Sequence, residues 1–241
     1  MTRIAIVIPA YNEEKAIAAV VDDINAVGKQ HALDLTAVVV NDCSKDATPE
    51  VISKLNCVAI NLPVNLGIGG AVQTGFKYAF ENDFDFAVQV DGDGQHPASE
   101  IPKLVKTAQE TGSDVVIGSR FIEKEGFQSS AMRRFGINYF KRLNNMLVGV
   151  TITDSTSGFR LINKKVLELV SNYYPDEYPE PEAIIVYSLN GFRMAEVAVT
   201  MRERQGGVSS IGAFASVYYM FKVSLAIFYT FIRIKFQKRQ N

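Results

Sequence analysis

The chain has 241 residues, and its 25 Lys and Arg nearly balance its 26 Asp and Glu. Hydrophobic residues make up 47% and charged residues 21% of the chain, which excludes a disordered or collagen-like protein. The formal net charge of −1 argues against a general nucleic-acid-binding protein, so we expect no nucleic acid partner.

Short apolar runs rich in β-branched residues alternate with helical segments through the first half of the chain. Asn12 is a candidate cap of a helix from about Glu13, and Thr48-Pro49 predicts the start of a second helix. A third helix is predicted from a glycine-rich turn to about Phe80. The runs that predict buried strands are residues 3–8, 35–40, 57–61, 85–90 and 114–117.

This alternation predicts an α/β protein with a mostly parallel sheet and helices on both faces. Ligands bind such sheets at the carboxyl ends of the strands, so the polar residues directly after each strand are the candidates for chemistry. They are residues 11–13, 41–42, 65–67, 91–93 and 118–120.

The C-terminal part of the chain is predicted to be helical and apolar. A proline-rich loop precedes a short helix at 182–189, and residues 213–232 contain one charge, Lys222. That segment is long enough to span a bilayer, but its charge-free stretch has only ten residues. The basic tail at 233–239 would also have to cross, against the positive-inside rule. The pattern therefore argues against a membrane span.

We therefore predict two parts, a globular domain at 1–211 and a C-terminal membrane-interface or packing helix with a basic tail at 212–241. Residues 201–241 contain seven basic residues and one acidic residue, which suits an anionic membrane surface at the cytoplasmic face. In the alternative, residues 214–236 pack on the domain or form a contact in a homo-oligomer.

The N-terminal segment and the two cysteines indicate the cellular compartment of the protein. Only five apolar residues separate Arg3 from Pro9, too few for a signal peptide, which favours a cytoplasmic protein associated peripherally with the membrane. Cys43 and Cys57 have no metal-binding or redox spacing, and we expect both to be small buried residues in a reducing compartment.

The strongest chemical motif is the pair of carboxylates Asp91 and Asp93, which follows a predicted buried strand. Two like charges on one side of an extended chain repel unless a cation joins them. Mg²⁺ or Mn²⁺ accepts one or two carboxylates together with diphosphate oxygens. The similar pair Asp83 and Asp85 precedes its strand and is interpreted as turn and strand-entry charge.

Other candidates are weaker. Asn65, Gly67 and Gly70 open a helix and suit either a phosphate contact or a tight strand-to-helix connection. Asp42 follows the second strand, where it can accept a hydrogen bond from a ribose or a base, and Asp46 is a candidate helix cap. Of the two histidines, His31 is expected on a surface loop and His96 near the substrate.

Taken together, segments 6–14, 40–48, 65–75 and 89–97 resemble the family 2 glycosyltransferases with the GT-A (Rossmann-like) fold. Segments 118–120, 154–160 and 204–209 resemble the dolichol- or polyprenyl-phosphate sugar synthase branch of that family. The resemblance covers about residues 3–211 and depends on the order and spacing of the motifs. Two features depart from the branch: Ser210 stands where Lys is usual, and the C-terminal transmembrane hairpins of some relatives are absent.

The resemblance implies a role for each matching position. A nucleoside-diphosphate sugar is the implied donor, and its nucleoside would contact Pro9, Tyr11, Glu13 and Asp42. The implied metal and diphosphate ligands are Asp91, Asp93 and Gln95. Arg120 would lie near the sugar or diphosphate, and the groups implied for the phosphates of donor and lipid acceptor are Arg133 or Arg134, Arg204 and Ser209.

Three functions are compatible with these residues. The first is an inverting, metal-dependent transfer of a sugar to a polyprenyl (undecaprenyl or dolichyl) phosphate, an acceptor that is already anionic and needs no base. The second is the extension of a cell-surface polysaccharide or a lipid-linked glycan at a sugar hydroxyl, for which Asp154, Glu180 or Glu182 would be the base. The third is a non-catalytic module that binds nucleotide sugars.

Overall fold

The computed structural model describes residues 2–123, 131–202 and 213–240. In these residues seven strands form one sheet: β1 (Arg3–Ala10), β2 (Asp34–Asn41), β3 (Val58–Asn61), β4 (Phe86–Gln89), β5 (Val115–Ser119), β6 (Arg160–Asn163) and β7 (Met194–Ala198). The α-helices in the same residues are α1 (Ile17–Gln30), α2 (Thr48–Ile52), α3 (Gly67–Glu81), α4 (Ile101–Thr111), α5 (Ala131–Val148), α6 (Lys164–Asn172), α7 (Pro179–Leu189) and α8 (Ala213–Gln240).

The strands lie in the order β3-β2-β1-β4-β6-β5-β7, and β6 is antiparallel to both β4 and β5. The other neighbouring pairs are parallel, so the predicted mostly parallel sheet is confirmed. Helices cover both faces, as expected for strands that are apolar throughout. On β1, for example, Ile4, Ile6 and Ile8 pack toward α1 and α4, whereas Ala5 and Val7 pack toward α3 and α7.

The structure corrects the predicted beginning of the first helix. Asn12 does not cap a helix, because α1 begins at Ile17, and Asn12 has a positive φ of 58°. Its Oδ1 atom instead accepts a hydrogen bond from the Lys45 backbone N–H at 2.8 Å. Asn12 thus joins the loops that follow β1 and β2, at the sheet edge where a ligand is expected.

Other boundaries also differ from the predictions. The first strand does not stop at Pro9 but continues to Ala10, with Pro9 opposite Val40 of β2. The strand tolerates this proline because the ladder with β4 has already ended at Val7, so no partner on that side needs the missing N–H. Cys43 and Cys57 are free and half-buried rather than buried.

The C-terminal helix α8 packs on the domain through one of its faces. Val223 and Ile227 are fully buried, in a cluster with Phe140 of α5 and Ile185 of α7. This face of α8 therefore packs as in the alternative given for residues 214–236, and the membrane-interface role of the helix stays a prediction. No helix in the described ranges is both long and apolar enough to cross a membrane.

Candidate active site

A pocket of about 440 Å³ opens at the carboxyl ends of β1, β2 and β4. It brings together eight residues predicted from the sequence, which come from four separate segments. They are Pro9, Tyr11, Glu13, Asp42, Asn65, Gly67, Asp91 and Asp93. The pocket also contains Glu180, from the first turn of α7. The nucleoside, diphosphate and metal roles of these residues stay predictions, but their convergence on one pocket is a property of the fold.

The two carboxylates lie on a tight loop after β4. Asp93 is buried, and its Oδ1 atom accepts a hydrogen bond from the Gln95 backbone N–H at 3.0 Å. Gly94 has a φ of 78°, which a residue with a side chain rarely adopts. The loop is also anchored from outside, because the Gln95 carbonyl accepts from the Arg202 N–H at 3.0 Å. The loop therefore presents Asp91 and Asp93 to the pocket from a fixed backbone.

Nothing in the described residues brings three or more His, Cys, Asp or Glu side chains together as a complete metal cage. Two carboxylates suit a hard divalent cation that takes its remaining oxygens from water and from a phosphate-bearing substrate. Gly158 packs closely behind this site, because a Cβ atom there would lie 2.8 Å from the Gln89 amide nitrogen, which is an overlap, and 3.5 Å from Asp91 Oδ1, which is an ordinary contact. The donor chemistry of the two carboxylates thus fits Mg²⁺ or Mn²⁺.

Asp42 has a structural task that sequence reasoning missed. Its carboxylate is buried and accepts hydrogen bonds from the backbone N–H groups of Leu66 at 2.6 Å and Gly67 at 2.9 Å. These N–H groups open α3, so Asp42 caps the helix whose glycine-rich start was a candidate phosphate contact. A phosphate would have to compete with this carboxylate, which favours the tight connection over the phosphate contact.

Close packing explains why glycine occupies positions 69 and 70 of the glycine-rich turn. A Cβ atom at Gly69 would overlap the carbonyl oxygens of Pro175 and Asp176, and one at Gly70 would lie 2.5 Å from the Leu66 Cβ atom. Gly70 is not among the residues that line the pocket, and its role in binding stays a prediction.

Arg120 and Asp154 form a bidentate ion pair in the interior. The Arg120 Nε atom donates to Asp154 Oδ2 at 2.7 Å, and its Nη2 atom donates to Asp154 Oδ1 at 2.8 Å. Asp154 is fully buried, and its backbone N–H donates to Glu196 of β7 at 2.9 Å. Because both carboxylate oxygens already accept from a guanidinium, Asp154 is poorly placed to remove a proton from a substrate.

The two glutamates of α7 are separated by the helix geometry. Glu180 lines the pocket, whereas the Glu182 carboxylate accepts from the Thr230 hydroxyl of α8 at 3.0 Å. Side chains two residues apart on a helix point about 200° apart, which explains why Glu180 faces the pocket and Glu182 faces α8. Burial raises the pKa of Glu182 to about 7, against the lowering effect of the Thr230 hydrogen bond.

Arg160 of β6 acts electrostatically on Glu180; it ends the 154–160 segment of the resemblance, but no role was predicted for it. Its guanidinium is buried and donates to the carbonyl oxygens of Ser157 at 2.7 Å and Ser155 at 3.0 Å. Burial raises the pKa of Glu180, and the positive charge of Arg160 opposes that shift. A buried arginine in a four-residue strand carries no periodic signal, so only the fold reveals it.

Several predicted residues cannot be placed. Arg204 and Ser209 lie outside the described residues. Arg133 and Arg134 lie in the first turn of α5, but their side chains are outside the described part of the chain. Gln95 is in the loop after β4 that carries Asp91 and Asp93; its backbone makes the contacts described above, and its role as a ligand stays a prediction.

The chain belongs to glycosyl transferase family 2, whose family model matches residues 5–170. It is therefore a family 2 glycosyltransferase, and its sheet and flanking helices are GT-A-like.

Individual relatives agree with this assignment. The chain is 31% identical over 216 residues to the UDP-N-acetylglucosamine–dolichyl-phosphate N-acetylglucosaminyltransferase of Methanococcus voltae, covering 81% of this chain and 84% of the relative. It is 28% identical over 233 residues to the polyprenol monophosphomannose synthase of Mycolicibacterium smegmatis, covering 92% and 86%.

A solved structure of similar fold is glucosyl-3-phosphoglycerate synthase from Mycobacterium tuberculosis in complex with Mn²⁺, UDP and phosphoglyceric acid. Its TM-score is 0.69 at 19% identity, and the match covers 97% of this chain and 78% of that one. At this identity the similarity establishes the fold alone.

Proposed function

We propose that this glycosyltransferase moves a sugar from a nucleoside-diphosphate sugar to a polyprenyl phosphate, with inversion at the anomeric carbon. The observation that carries the proposal is the pocket itself, in which Asp91 and Asp93 face Tyr11, Asp42 and Glu180 across one cavity. The proposal is supported by two relatives, one named for transfer to dolichyl phosphate and the other for synthesis of polyprenol monophosphomannose.

Asp91 and Asp93 are the residues that would hold Mg²⁺ or Mn²⁺, with Gln95 as a further candidate. A divalent cation bound there would neutralise the negative charge that builds up on the leaving diphosphate. Tyr11, with 44% of its surface exposed at the pocket, offers a flat face to the base of the nucleotide. The chain's own contribution is thus to orient the donor and to place its charged groups before the reaction begins.

The contacts of the candidate bases indicate which kind of acceptor the enzyme uses. Asp154 is paired with Arg120, and Glu182 faces Thr230 of α8, so neither carboxylate is directed at the pocket. A phosphate acceptor needs no base, but it does need positive charge. Because Arg120 is buried and paired with Asp154, the remaining predicted sources are Arg133 or Arg134, and Arg204. The absence of a base from two of the three positions favours the phosphate acceptor.

A hydroxyl acceptor remains the second candidate because of Glu180. This carboxylate lines the same pocket as Asp91 and Asp93, which is where a base would have to lie to activate a sugar hydroxyl. In that reaction the protein would extend a polysaccharide or a lipid-linked glycan. The non-catalytic module is set aside, because the chain belongs to a family of enzymes.

The exposed face of α8 would hold the enzyme at the cytoplasmic surface of the membrane. Its exposed apolar side chains span about 100° of the helix circumference, opposite the buried face. They are Tyr218, Phe221, Leu225, Phe228, Tyr229, Ile232 and Phe236, which we call the α8 stripe.

The positive charge of α8 favours contact of the α8 stripe with anionic lipid over contact with a second copy of the chain. Lys222 and Lys235 lie at opposite edges of the stripe. The Lys222 ammonium pairs with Glu177 at 3.4 Å, so Lys235 is the edge lysine that we expect to reach toward headgroups. Residues 213–240 contain no acidic residue, so two stripes packed together would bring like charges into contact. Anionic headgroups remove that repulsion.

A partition assay tests the reaction. The protein is incubated with Mg²⁺ or Mn²⁺, labelled nucleotide sugars and undecaprenyl or dolichyl phosphate in detergent, and label is counted in the organic phase. Label that depends on Asp93 supports the proposal. Binding of a nucleotide sugar in calorimetry, with no label in the organic phase but label on a glycan acceptor, would replace it with the hydroxyl-acceptor reaction.

A further inference from the structure

The pocket has a polar corner beside Asp91, formed by β4, the start of β6 and the first turn of α7. Gln89 of β4 lies opposite Arg160 of β6 in the sheet. Glu180 of α7 lines the pocket, and its carboxyl is close enough to feel the charges of Arg160 and Asp91. Gly158 lies between Gln89 and Asp91, within contact distance of both. We call this group of residues the Glu180 corner.

Four buried polar atoms of the Glu180 corner have no hydrogen-bond partner among the described residues. Two are Gln89 Nε2 and Arg160 Nη1, although each of these residues is only 1% exposed. The other two are the hydroxyl oxygens of Ser155 and Ser157. Burial raises the pKa of Glu180 and the nearby Gln89 amide opposes that rise, yet no well-aligned hydrogen bond satisfies Gln89 Nε2. Because buried polar groups are nearly always satisfied, this cluster indicates that a polar molecule completes it.

The strand order indicates which part of a donor would reach the Glu180 corner. From β2 across β1 to β4, the pocket passes from Asp42 to Asp91. The strand β6 lies beyond β4, and Arg160 is its first residue. In a nucleoside-diphosphate sugar, the sugar is attached to the diphosphate on the side away from the nucleoside. With the nucleoside at Asp42 and the diphosphate at Asp91, as predicted, the sugar would extend toward β6.

The Glu180 corner also has the chemistry that a sugar ring requires. Each sugar hydroxyl both donates and accepts hydrogen bonds, so it is matched by a carboxylate that accepts and an amide that donates. Glu180 and Gln89 form such a pair. His96, which the sequence placed near the substrate, is buried against Phe159 and is not among the residues that line the pocket.

We infer that Glu180 is a specificity-determining residue that accepts hydrogen bonds from hydroxyl groups of the donor sugar, while Gln89 donates to the same sugar. This inference rests on the proposed function, because it assumes that a nucleoside-diphosphate sugar occupies the pocket. The positive charge of Arg160 offsets part of the cost of burying the Glu180 carboxylate. The contact is the same for a phosphate and for a hydroxyl acceptor, because both reactions use the same donor.

Three variants isolate the contact with the sugar. Glu180→Ala removes the carboxylate, whereas Glu180→Gln keeps its size but leaves one oxygen that can accept. Glu182→Gln is the matched control, because the Glu182 carboxylate lies on the same helix but accepts from Thr230 of α8.

The measurement is calorimetric binding of UDP-glucose, UDP-N-acetylglucosamine and GDP-mannose, and of UDP and GDP, to the whole chain with Mg²⁺. No acceptor is present, so a role of Glu180 in removing a proton cannot affect the result. For a nucleotide sugar that the wild type binds, Glu180→Ala should raise the dissociation constant about 10- to 100-fold, whereas that of the matching nucleoside diphosphate should change by less than about threefold. Glu180→Gln should cause a smaller loss, and Glu182→Gln should match the wild type.

The results separate this inference from the proposed function. If the wild type binds no nucleotide sugar, the proposed function is overturned and the inference with it. If the wild type binds one, and Glu180→Ala weakens it and the nucleoside diphosphate equally or weakens neither, the inference alone is overturned. If Glu180→Ala does not fold, Glu180→Gln decides, because an unchanged ratio of the two dissociation constants in that variant also overturns the inference.

Discussion

The pocket at the carboxyl ends of β1, β2 and β4 and the helical side formed by α5, α7 and α8 are built in different ways. Pocket residues come directly after strands, so short sequence motifs such as 91–96 contain several of them at once. On the helical side, single side chains meet from distant segments, as Glu182 and Thr230 do. In the first construction, loop backbones after the strands place the pocket side chains, whereas the second links the pocket to a surface that lies outside it.

The helix α7 is where these two regions meet. Its first turn contributes Glu180 to the pocket, and its next residues pack on α8, whose far face is the α8 stripe. Because the pocket and the stripe are separate surfaces, a change in the pocket should affect chemistry with little effect on membrane binding. A change in the stripe should weaken membrane binding with little effect on chemistry.

The largest effect is expected from Asp93→Asn. The substitution removes a charge from the proposed metal site but keeps the shape and one acceptor oxygen for the Gln95 N–H. Turnover should fall about a thousandfold, because stabilisation of the leaving diphosphate depends on the cation. The thermal midpoint should change by only a few degrees, and liposome binding should not change. Near-normal turnover in labelled-donor assays would remove the metal role.

The α8 stripe is tested with Phe221→Asp combined with Leu225→Asp. Both side chains are more than half exposed, so the fold should tolerate the change. Binding to liposomes that contain phosphatidylglycerol should weaken about tenfold or more, since two apolar contacts are lost and two negative charges are added.

The matched control is Met146→Asp, at an apolar position of α5 that is 74% exposed and lies outside the stripe. Flotation assays should show the control bound like the wild type. Turnover with a short, water-soluble polyprenyl phosphate should be normal in all three proteins. Equal loss of flotation in the control and the stripe variant would show that the stripe has no special part in binding.

Glu180→Gln distinguishes the two acceptors. With a polyprenyl phosphate acceptor the loss in kcat should be no more than about tenfold, because no proton has to be removed. With a hydroxyl acceptor the loss should be about a hundredfold or more. Glu182→Gln is the comparison variant on the same helix, and its carboxylate faces α8 instead of the pocket. A severe loss at Glu180 with lipid phosphate as the substrate would contradict the base-free reaction.

The smallest effect concerns the pH dependence of stability. Burial raises the pKa of Glu182 from 4.5 to about 7, so the folded state keeps a proton that the unfolded state releases. The stability from this proton is present below about pH 4.5 and is lost as the pH rises toward 7. Glu182→Gln should therefore unfold a few degrees above the wild type near pH 8 and should lose that part of the pH dependence. Thermal unfolding monitored by circular dichroism at several pH values measures both, and an unchanged profile would exclude this role of Glu182.

The elements that could be predicted are those that a short stretch of sequence marks by itself. Apolar runs followed by polar residues located β1, β2 and β4, and with them Tyr11, Asp91 and Asp93 at the pocket. The strand β6 was missed because it has four residues and begins with a buried arginine, and β7 was missed because its residues are half-buried and mixed in character.

The sequence by itself determined the alternation of strands and helices, and therefore which edge of the sheet carries the polar residues. Only the tertiary structure decided what those residues do to one another. Asp42 caps α3 through backbone N–H groups that lie 24 and 25 residues further along the chain. Arg120 pairs with Asp154, 34 residues away in the sequence, and Glu182 accepts a hydrogen bond from Thr230, 48 residues away. Backbone preference acts over a few neighbouring residues, whereas the charge and hydrogen bonding of a buried carboxylate depend on whichever group folding brings within about 3 Å.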